Sequence, residues 1–410
     1  VQRRHFLRQS GLALAAASAG TLAACARNPP LPAADAAEPV APPPVARLES
    51  GVASIAPIRA DIGRITGVYV CTRPFRAAGP RIETERFDHK TIVHNYGHGG
   101  AGWSLSWGSS TLAMKMARET GAKQLGVIGC GALGLTSAIL AQRAGLAVRI
   151  YAKELPPDVY SMRASGVWSP ESRICDAAHA EAFGDRWEDM TRTSYRMYQS
   201  LLGLPGKPIE WIDGYALSDV PWSEVDTVVP DEPLYPPLHA RVRDLGPRGV
   251  DLAAGTHPFP QAYARRYTTM MFNISTYARM LLSEFREAGG TIEVREFREP
   301  RELMKLPERT LINATGYGAR ALFKDESIVP VRGQTARLIP QPEVNYGLYL
   351  VNLSVVPRSD GILVQVLGDT GNFNNADVVP DRAVSEAAVR QLADVMGRLR
   401  NPASPQTPST

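Results

Sequence analysis

Six residues, Gly129-Cys130-Gly131-Ala132-Leu133-Gly134, constrain this chain more than any other stretch. The run Gln124–Ile128 before them reads as a strand. Residues 135–144 after them have helical periodicity, Gly145 is a natural stop, and 147–151 reads as a second strand. Glycines at this spacing between a strand and a helix mark a dinucleotide-binding turn. Gly129 permits the tight bend. Gly131 lets the backbone approach a pyrophosphate. Gly134 lets helix and strand pack closely, and the first N–H groups of the helix, from Ala132 and Leu133 on, are offered to phosphate. The second strand runs on into Lys153 and Glu154, which places Glu154 for ribose hydroxyls and Lys153 for phosphate. FAD and NAD both remain open at this point. Cys130, inside the turn, is expected to pack rather than react.

Upstream lies His94-Asn95-Tyr96-Gly97-His98-Gly99-Gly100-Ala101-Gly102-Trp103-Ser104-Leu105-Ser106-Trp107-Gly108. So many glycines predict a loop, followed by a helix over 109–119 with Gly121 as its stop. In a dinucleotide enzyme such a loop-to-helix junction suits the redox ring, because a helix N-terminus stabilises negative charge that develops as a ring accepts hydride. His94 and His98 are four apart, but not on a helix, so they are expected to be satisfied loop histidines and not metal ligands.

At 410 residues, 44% hydrophobic and 21% charged, the chain is a folded protein of more than one domain. After position 30 no run of ~20 apolar residues occurs, which excludes a polytopic membrane protein. The +4 net charge is spread along the chain, so no nucleic-acid surface is expected. Four cysteines (Cys25, Cys71, Cys130, Cys175) are too few and too scattered for a disulfide framework or a zinc site. The first 25 residues read as an export signal. Arg3-Arg4 with Phe6-Leu7 resembles a twin-arginine motif, and Leu22-Ala23-Ala24-Cys25 resembles a bacterial lipobox. The expectation is a periplasmic protein held at the membrane only by a lipid on Cys25; simple cleavage with Cys25 unmodified is the alternative. Residues 26–54 read as a Pro/Ala-rich linker and 401–410 as a disordered tail.

The segment 94–108 closely resembles the signature of the D-amino-acid oxidase family of FAD flavoproteins. So do Thr72-Arg73-Pro74-Phe75-Arg76 with Pro80-Arg81-Ile82-Glu83, Ala164-Ser165-Gly166-Val167-Trp168-Ser169-Pro170, Asn313-Ala314-Thr315-Gly316, Val331-Arg332-Gly333-Gln334, and Val355-Val356-Pro357-Arg358-Ser359-Asp360-Gly361 with Leu367-Gly368. The resemblance implies an α/β fold: a Rossmann-like FAD-binding domain and a mixed-sheet α+β substrate domain, interleaved in sequence. The expected order is 55–90 substrate-domain strands, 91–175 FAD-binding core, 176–290 substrate domain, 291–335 FAD-binding return and 336–400 substrate domain. In the family the dinucleotide turn comes first and the His-Asn-Tyr-Gly loop last. Here that order is reversed, so the chain reads as a circular permutant, with the helix near 382–398 expected to end beside the strand at 62–71.

The resemblance also implies the chemistry: hydride transfer from the Cα of a D-amino acid, or related amine carboxylate, to flavin N5. Oxygen then serves as acceptor and peroxide is released. Arg73 takes the family's carboxylate-clamp position, with Arg76 as fallback, and the Gly100 carbonyl would accept a substrate N–H. Gly99, Gly102, Ser104, Ser161, Ser165, Gly166, Val167, Phe297 and Thr315 are implied as FAD neighbours: Ser104 on the C2=O side, 164–170 beneath the ring, Phe297 at the adenine, Thr315 near the phosphates. The sequence departs from the family at the substrate lid. Ser354 stands where relatives carry a tyrosine, Tyr346 and Tyr349 are out of register, and Asp369 replaces a turn glycine. Two other readings stay open: a quinone- or protein-linked dehydrogenase, and a lipoprotein that keeps flavin only as structure. Residues 231–237 and 251–260 are proline-rich insertions, open between pocket mouth and plain surface connection.

Overall fold

The structure, a computed structural model, describes residues 55–225, 228–350, 352–368 and 370–400. The expectations for 1–54, including Cys25, for Asp369 and for the 401–410 tail lie outside the described residues.

Two sheets organise the body. The first has six strands in the order β2-β3-β10-β4-β5-β9, formed by β2 (Arg81–Phe87), β3 (Lys90–Tyr96), β4 (Gln124–Ile128), β5 (Ala147–Ala152), β9 (Thr291–Val294) and β10 (Thr310–Asn313). All but β2 run parallel. Parallel strands need crossover connections, and helices supply them: α1 (Gly102–Glu119) links β3 to β4, and α2 (Ala132–Arg143) links β4 to β5. The core strands are near-continuous apolar runs because both faces are covered. Leu125, Val127, Ile150, Leu311 and Ile312 are all fully buried.

The second sheet has eight strands in the order β1-β11-β14-β13-β12-β6-β8-β7. It comprises β1 (Ile65–Phe75), β6 (Ile209–Ser218), β7 (Val250–Leu252), β8 (Tyr263–Phe272), β11 (Val329–Leu338), β12 (Tyr346–Leu350), β13 (Leu353–Arg358) and β14 (Gly361–Val366). Only the β12–β6 pair is parallel. Four further helices pack around the sheets or connect strands: α3 (Ala180–Gln199), α4 (Ile274–Glu287), α5 (Pro300–Leu303) and α6 (Gly318–Leu322). A last helix, α7 (Arg382–Gly397), packs against β14 and β11. The α3 stripe Phe183, Trp187, Met190 and Ser194 is buried as its spacing predicts. On α4, Ile274, Tyr277, Ala278, Leu281 and Phe285 are buried while Leu282 is only partly covered.

Three boundaries differ from the sequence expectation. The helix predicted from 109 begins at Gly102, seven residues earlier. Glycine weakens a helix by about 1 kcal/mol, but here Gly108 is required: a Cβ on it would run into the Met190 backbone, where α1 and α3 touch. β2 lies within 55–90 yet pairs along its whole length with β3, so it extends the dinucleotide sheet. The return from that sheet ends before 329, because β11 is one continuous strand zipped to β1. The two ends of the described body meet. The Ile58 N–H sits 3.2 Å from the Met396 sulfur, and the Tyr346 hydroxyl donates to the Ala56 carbonyl at 2.7 Å. Among the described residues no helix is long and apolar enough to cross a membrane.

Candidate active site

A cavity of about 880 Å³ runs between the two sheets and is lined from both. At one end is the β4–α2 turn. Gly129 holds φ +111°, a left-handed conformation, and a Cβ there would come 2.5 Å from the Ala314 carbonyl oxygen. Gly131 is the N-cap of α2 and gives no side-chain cap, so the first N–H groups of this helix have no side-chain acceptor at the cavity wall. The Ser161 hydroxyl faces the same spot. It is buried without a hydrogen-bond partner, and a Cβ on Gly131 would stand 3.2 Å from it. Uncapped N–H groups, an unmatched hydroxyl and a glycine-made gap form a cradle for phosphate. Gly134 does not line the cavity; it is needed where α2 passes the Gly129 carbonyl, which a Cβ would strike.

Beyond the cradle, Lys153, Glu154, Arg295, Glu296, Phe297 and Arg298 line the cavity where β5 and β9 end. Lys153 pairs with Glu296 at 3.0 Å. The Phe297 ring lies edge-on to Tyr151 and under the Arg295 guanidinium. Thr315 lines the cavity and donates its hydroxyl to Asn313 at 2.8 Å. Cys130 also lines it, but burial pushes its thiol up to about 12, so it packs as expected and is not a thiolate at neutral pH.

The second glycine loop closes the middle of the cavity. Gly99 and Gly100 donate their N–H groups to the carbonyls of Pro74 and Ser172, each at 2.9 Å. A side chain on Gly99 would hit the Arg173 carbonyl, and one on Gly100 the Ser172 hydroxyl. Gly99, Gly100 and Gly102 line the cavity, and α1 starts there on Ala101 with no side-chain cap. Two helix N-termini therefore open into one cavity. Ser104 does not line it; its hydroxyl accepts the Ser169 N–H at 2.9 Å and so holds the 164–170 segment in place. In that segment Ser165 and Val167 line the cavity, whereas Gly166, at φ +90°, turns the chain against the Phe272 carbonyl behind them.

Of the two loop histidines, His94 is satisfied as expected and His98, which lines the cavity, only in part. His94 bonds Glu85 at 2.9 Å and Asn313 at 3.1 Å. His98 meets the Ser109 hydroxyl at 2.7 Å, and that hydroxyl donates onward to Asn95 at 2.5 Å, so His98 Nε2 is the donor and Nδ1 is left as a bare, buried acceptor. Burial pushes His98 down to about 3. A histidine that binds a proton less readily folded than unfolded gives stability that is complete above its unfolded pKa near ~6.5 and is lost as pH falls toward the folded value. The urea midpoint of the protein should fall as pH is lowered from about 6.5 toward 4. His98→Asn should flatten that slope; an unchanged slope would assign the acid sensitivity elsewhere.

At the far end stands Arg73, on β1. It lines the cavity, donates one N–H to the Arg332 carbonyl at 2.9 Å, and has no carboxylate within ion-pair distance among the described residues. Burial lowers its pKa from the usual arginine value, which marks a cation short of solvent and ready for an anion. Gly333, on the neighbouring strand, leaves the room its guanidinium fills. Arg76 is not a rival: it bonds Ser327 and the Gly79 carbonyl and does not reach the cavity. Ser354 lines the wall, and so does Tyr349, its cross-strand partner. Tyr346 does not; its hydroxyl is used by Ala56. Tyr267, Arg163 and Arg173 are wall residues that sequence reasoning missed. Tyr267 lies across Gly214 on the adjacent strand, where a side chain would collide with its ring. That glycine inside a strand was the one available signal.

Residues 124–407 match the family described as FAD dependent oxidoreductase. The chain belongs to the FAD-dependent oxidoreductases. Its curated relatives include the D-amino-acid oxidase of Rubrobacter xylanophilus, 28% identical over 67% of this chain and 77% of that protein. The D-amino-acid oxidase of Streptomyces coelicolor is also 28% identical, over 65% and 76% respectively. Among solved structures, glycine oxidase from Geobacillus kaustophilus is similar at a TM-score of 0.46 and 15% identity, covering 68% of this chain and 78% of that one. The cofactor of this FAD-dependent oxidoreductase is FAD, and the cavity suits it. The cradle at Gly131 and Ser161 would hold the phosphates, the β5–β9 edge the adenosine, and the α1 N-terminus the polar edge of the ring.

Proposed function

We propose that this FAD-dependent oxidoreductase oxidises the Cα–NH2 of a D-amino acid to the imino acid, with oxygen as electron acceptor. The observation that carries the reading is Arg73: a guanidinium without a carboxylate partner among the described residues, in the same cavity as two uncapped helix N-termini. A bidentate contact to a substrate carboxylate satisfies it. The names of the two curated relatives support the D configuration.

When bound, FAD supplies the hydride acceptor, N5. Arg73 holds the carboxylate and so fixes where Cα sits. In this reading the Gly100 carbonyl accepts an N–H from the amine and so orients the nitrogen whose lone pair becomes the C=N bond. The acidic groups among the described lining residues are Glu154 and Glu296, both at the β5–β9 end, and His98 is held neutral. The Arg73 end thus offers no carboxylate base, and the amine sheds its proton to solvent before hydride leaves. Cα loses a hydride and nitrogen a proton; oxygen gains two electrons and two protons as hydrogen peroxide, and water hydrolyses the imine to keto acid and ammonia. The test is a panel of D- and L-amino acids with peroxide detection, repeated with an artificial acceptor. Peroxide from D-amino acids supports the reading. Turnover only with the artificial acceptor makes the protein a dehydrogenase.

We also propose that the chain order is permuted. The family match begins at β4, whereas β1, β3 and α1, which carry Arg73 and the glycine loop, precede it. The juxtaposed Ile58 and Met396 support the same view. A rearranged chain that starts near 120, joins 400 to 55 by a short linker and ends near 119 should fold, bind FAD and turn over substrate. Failure to fold would count against the permutation. Twin-arginine export with a lipid on Cys25 remains a proposal from the sequence alone; fractionation of Cys25→Ser, expected to move from membrane to soluble periplasm, tests it.

A further inference from the structure

Arg173 is the second guanidinium at the Arg73 end of the cavity, and its charge is already spent. It sits at φ +50°, immediately after the Ser172 carbonyl that holds the glycine loop. Both ends of its fork reach Glu232, with Nε and Nη2 each 2.8 Å from a carboxylate oxygen. The Glu232 side chain is 3% exposed and that of Arg173 22%. The Tyr235 hydroxyl donates to the same carboxylate at 2.8 Å, and its ring lies under the guanidinium at 5.7 Å. Tyr235 in turn packs on Phe75, two residues past Arg73. The insertion at 231–237 therefore stands behind the pocket wall and braces Arg173, which lines it. The 251–260 insertion is not: Phe259 goes into the core beside Tyr215.

Among the ionisable groups whose charges are felt at Arg73 are Cys71, Arg173, Glu232 and Tyr235. Arg163, the other cavity arginine on this side, is held to the Val70 carbonyl at 2.9 Å and stacked on Tyr160. Arg73, Arg173 and Glu232 together carry two positive charges and one negative, so this cluster is left with one positive charge. The substrate's own carboxylate cancels it. A second carboxylate, on the side chain, would arrive in a half-buried pocket with its natural partner already bound to Glu232. An uncompensated charge in such a place costs several kcal/mol.

We propose that the Arg173–Glu232 pair determines side-chain specificity: by neutralising Arg173, Glu232 restricts the pocket to substrates with uncharged side chains and excludes acidic ones. This rests on the amino-acid reading of the site given above. Glu232→Gln keeps a hydrogen bond to Arg173 and frees its charge, turning the wall into a site for a second carboxylate.

The experiment reads binding and turnover separately. The FAD-loaded protein is titrated with propionate and with succinate, following the flavin spectrum, and its kcat/KM is measured for D-alanine, D-methionine, D-aspartate and D-glutamate. The parent should bind propionate in preference to succinate and favour the neutral amino acids over the acidic ones by about 100-fold or more. Glu232→Gln should shift the acidic-to-neutral ratio, in both assays, by about 10-fold or more toward the acidic ligand. The double variant Arg173→Met/Glu232→Met, which removes both charges, should return the ratio to the parent's side. An unshifted ratio in FAD-loaded Glu232→Gln, or a parent that already prefers succinate, overturns the proposal. If the binding ratio shifts as expected but no amino acid is oxidised by any of these proteins, the selector stands and the enzymatic reading is what fails.

Discussion

Arg73→Ala should lower kcat/KM for amino-acid substrates by about 30-fold or more while leaving the bound flavin's absorbance intact. Cutting one side of a desolvated charge pair costs about 2–5 kcal/mol, and about 1.4 kcal/mol is tenfold. The loss should fall on both kcat and KM, because the contact that binds the carboxylate also fixes Cα. Arg73→Lys keeps the charge but not the fork, and should recover only part of the loss. Gly333→Ala gives an independent check, since its methyl group would occupy the space of the Arg73 guanidinium; it should reproduce much of the Arg73→Ala defect with the arginine still present. Steady-state kinetics on the three variants decides the matter, and unchanged kinetics in Arg73→Ala would remove the clamp from this position.

Gly131→Val should yield a folded, colourless protein. The nearest atom to a Cβ at this position is the Ser161 hydroxyl at 3.2 Å, with no backbone within 4 Å. The backbone is extended there, at φ −83° and ψ −165°, which valine tolerates. The valine methyls therefore grow into the cavity where phosphate belongs, and not into the protein. Gly134→Val is the contrast. Its side chain would collide with the Gly129 carbonyl, so that protein should lose stability as well as cofactor. Circular dichroism with flavin absorbance separates the two outcomes. A yellow, fully loaded Gly131→Val protein would contradict the placement of the pyrophosphate.

What the sequence disclosed, and what it hid, follows from the range of the interactions. The dinucleotide turn was legible because its causes are local. Gly129, Gly131 and Gly134 answer to a bend, a close approach and a helix crossing within six residues, and the flanking strand and helix declare themselves by period. Arg73 was legible only through its Arg-Pro context. Nothing in residues 72–76 says that Gly333, on a partner strand 260 positions away, clears space for it. The start of α1 was misread because glycine usually argues against helix, whereas Gly108 is there for the contact with Met190. Arg173 and Glu232 carried no signal at all. They meet from an irregular segment and a proline-rich insertion, where no periodicity operates. Tyr349 looked out of register with the pocket, yet strand pairing sets it directly across from Ser354, so both face the cavity.

Arg73 and the two glycine-bounded helix N-termini should together present a D-amino acid to FAD. Anaerobic mixing of the purified, FAD-loaded protein with single D- and L-amino acids tests it most directly, because loss of the flavin's visible absorbance reports hydride arrival without any electron acceptor. The flavin should bleach with a neutral D-amino acid such as D-alanine or D-methionine, keep its colour with the L enantiomer, and recover colour with release of peroxide when air is admitted. A flavin that keeps its colour with every D-amino acid, or that bleaches only with L-amino acids, would contradict it.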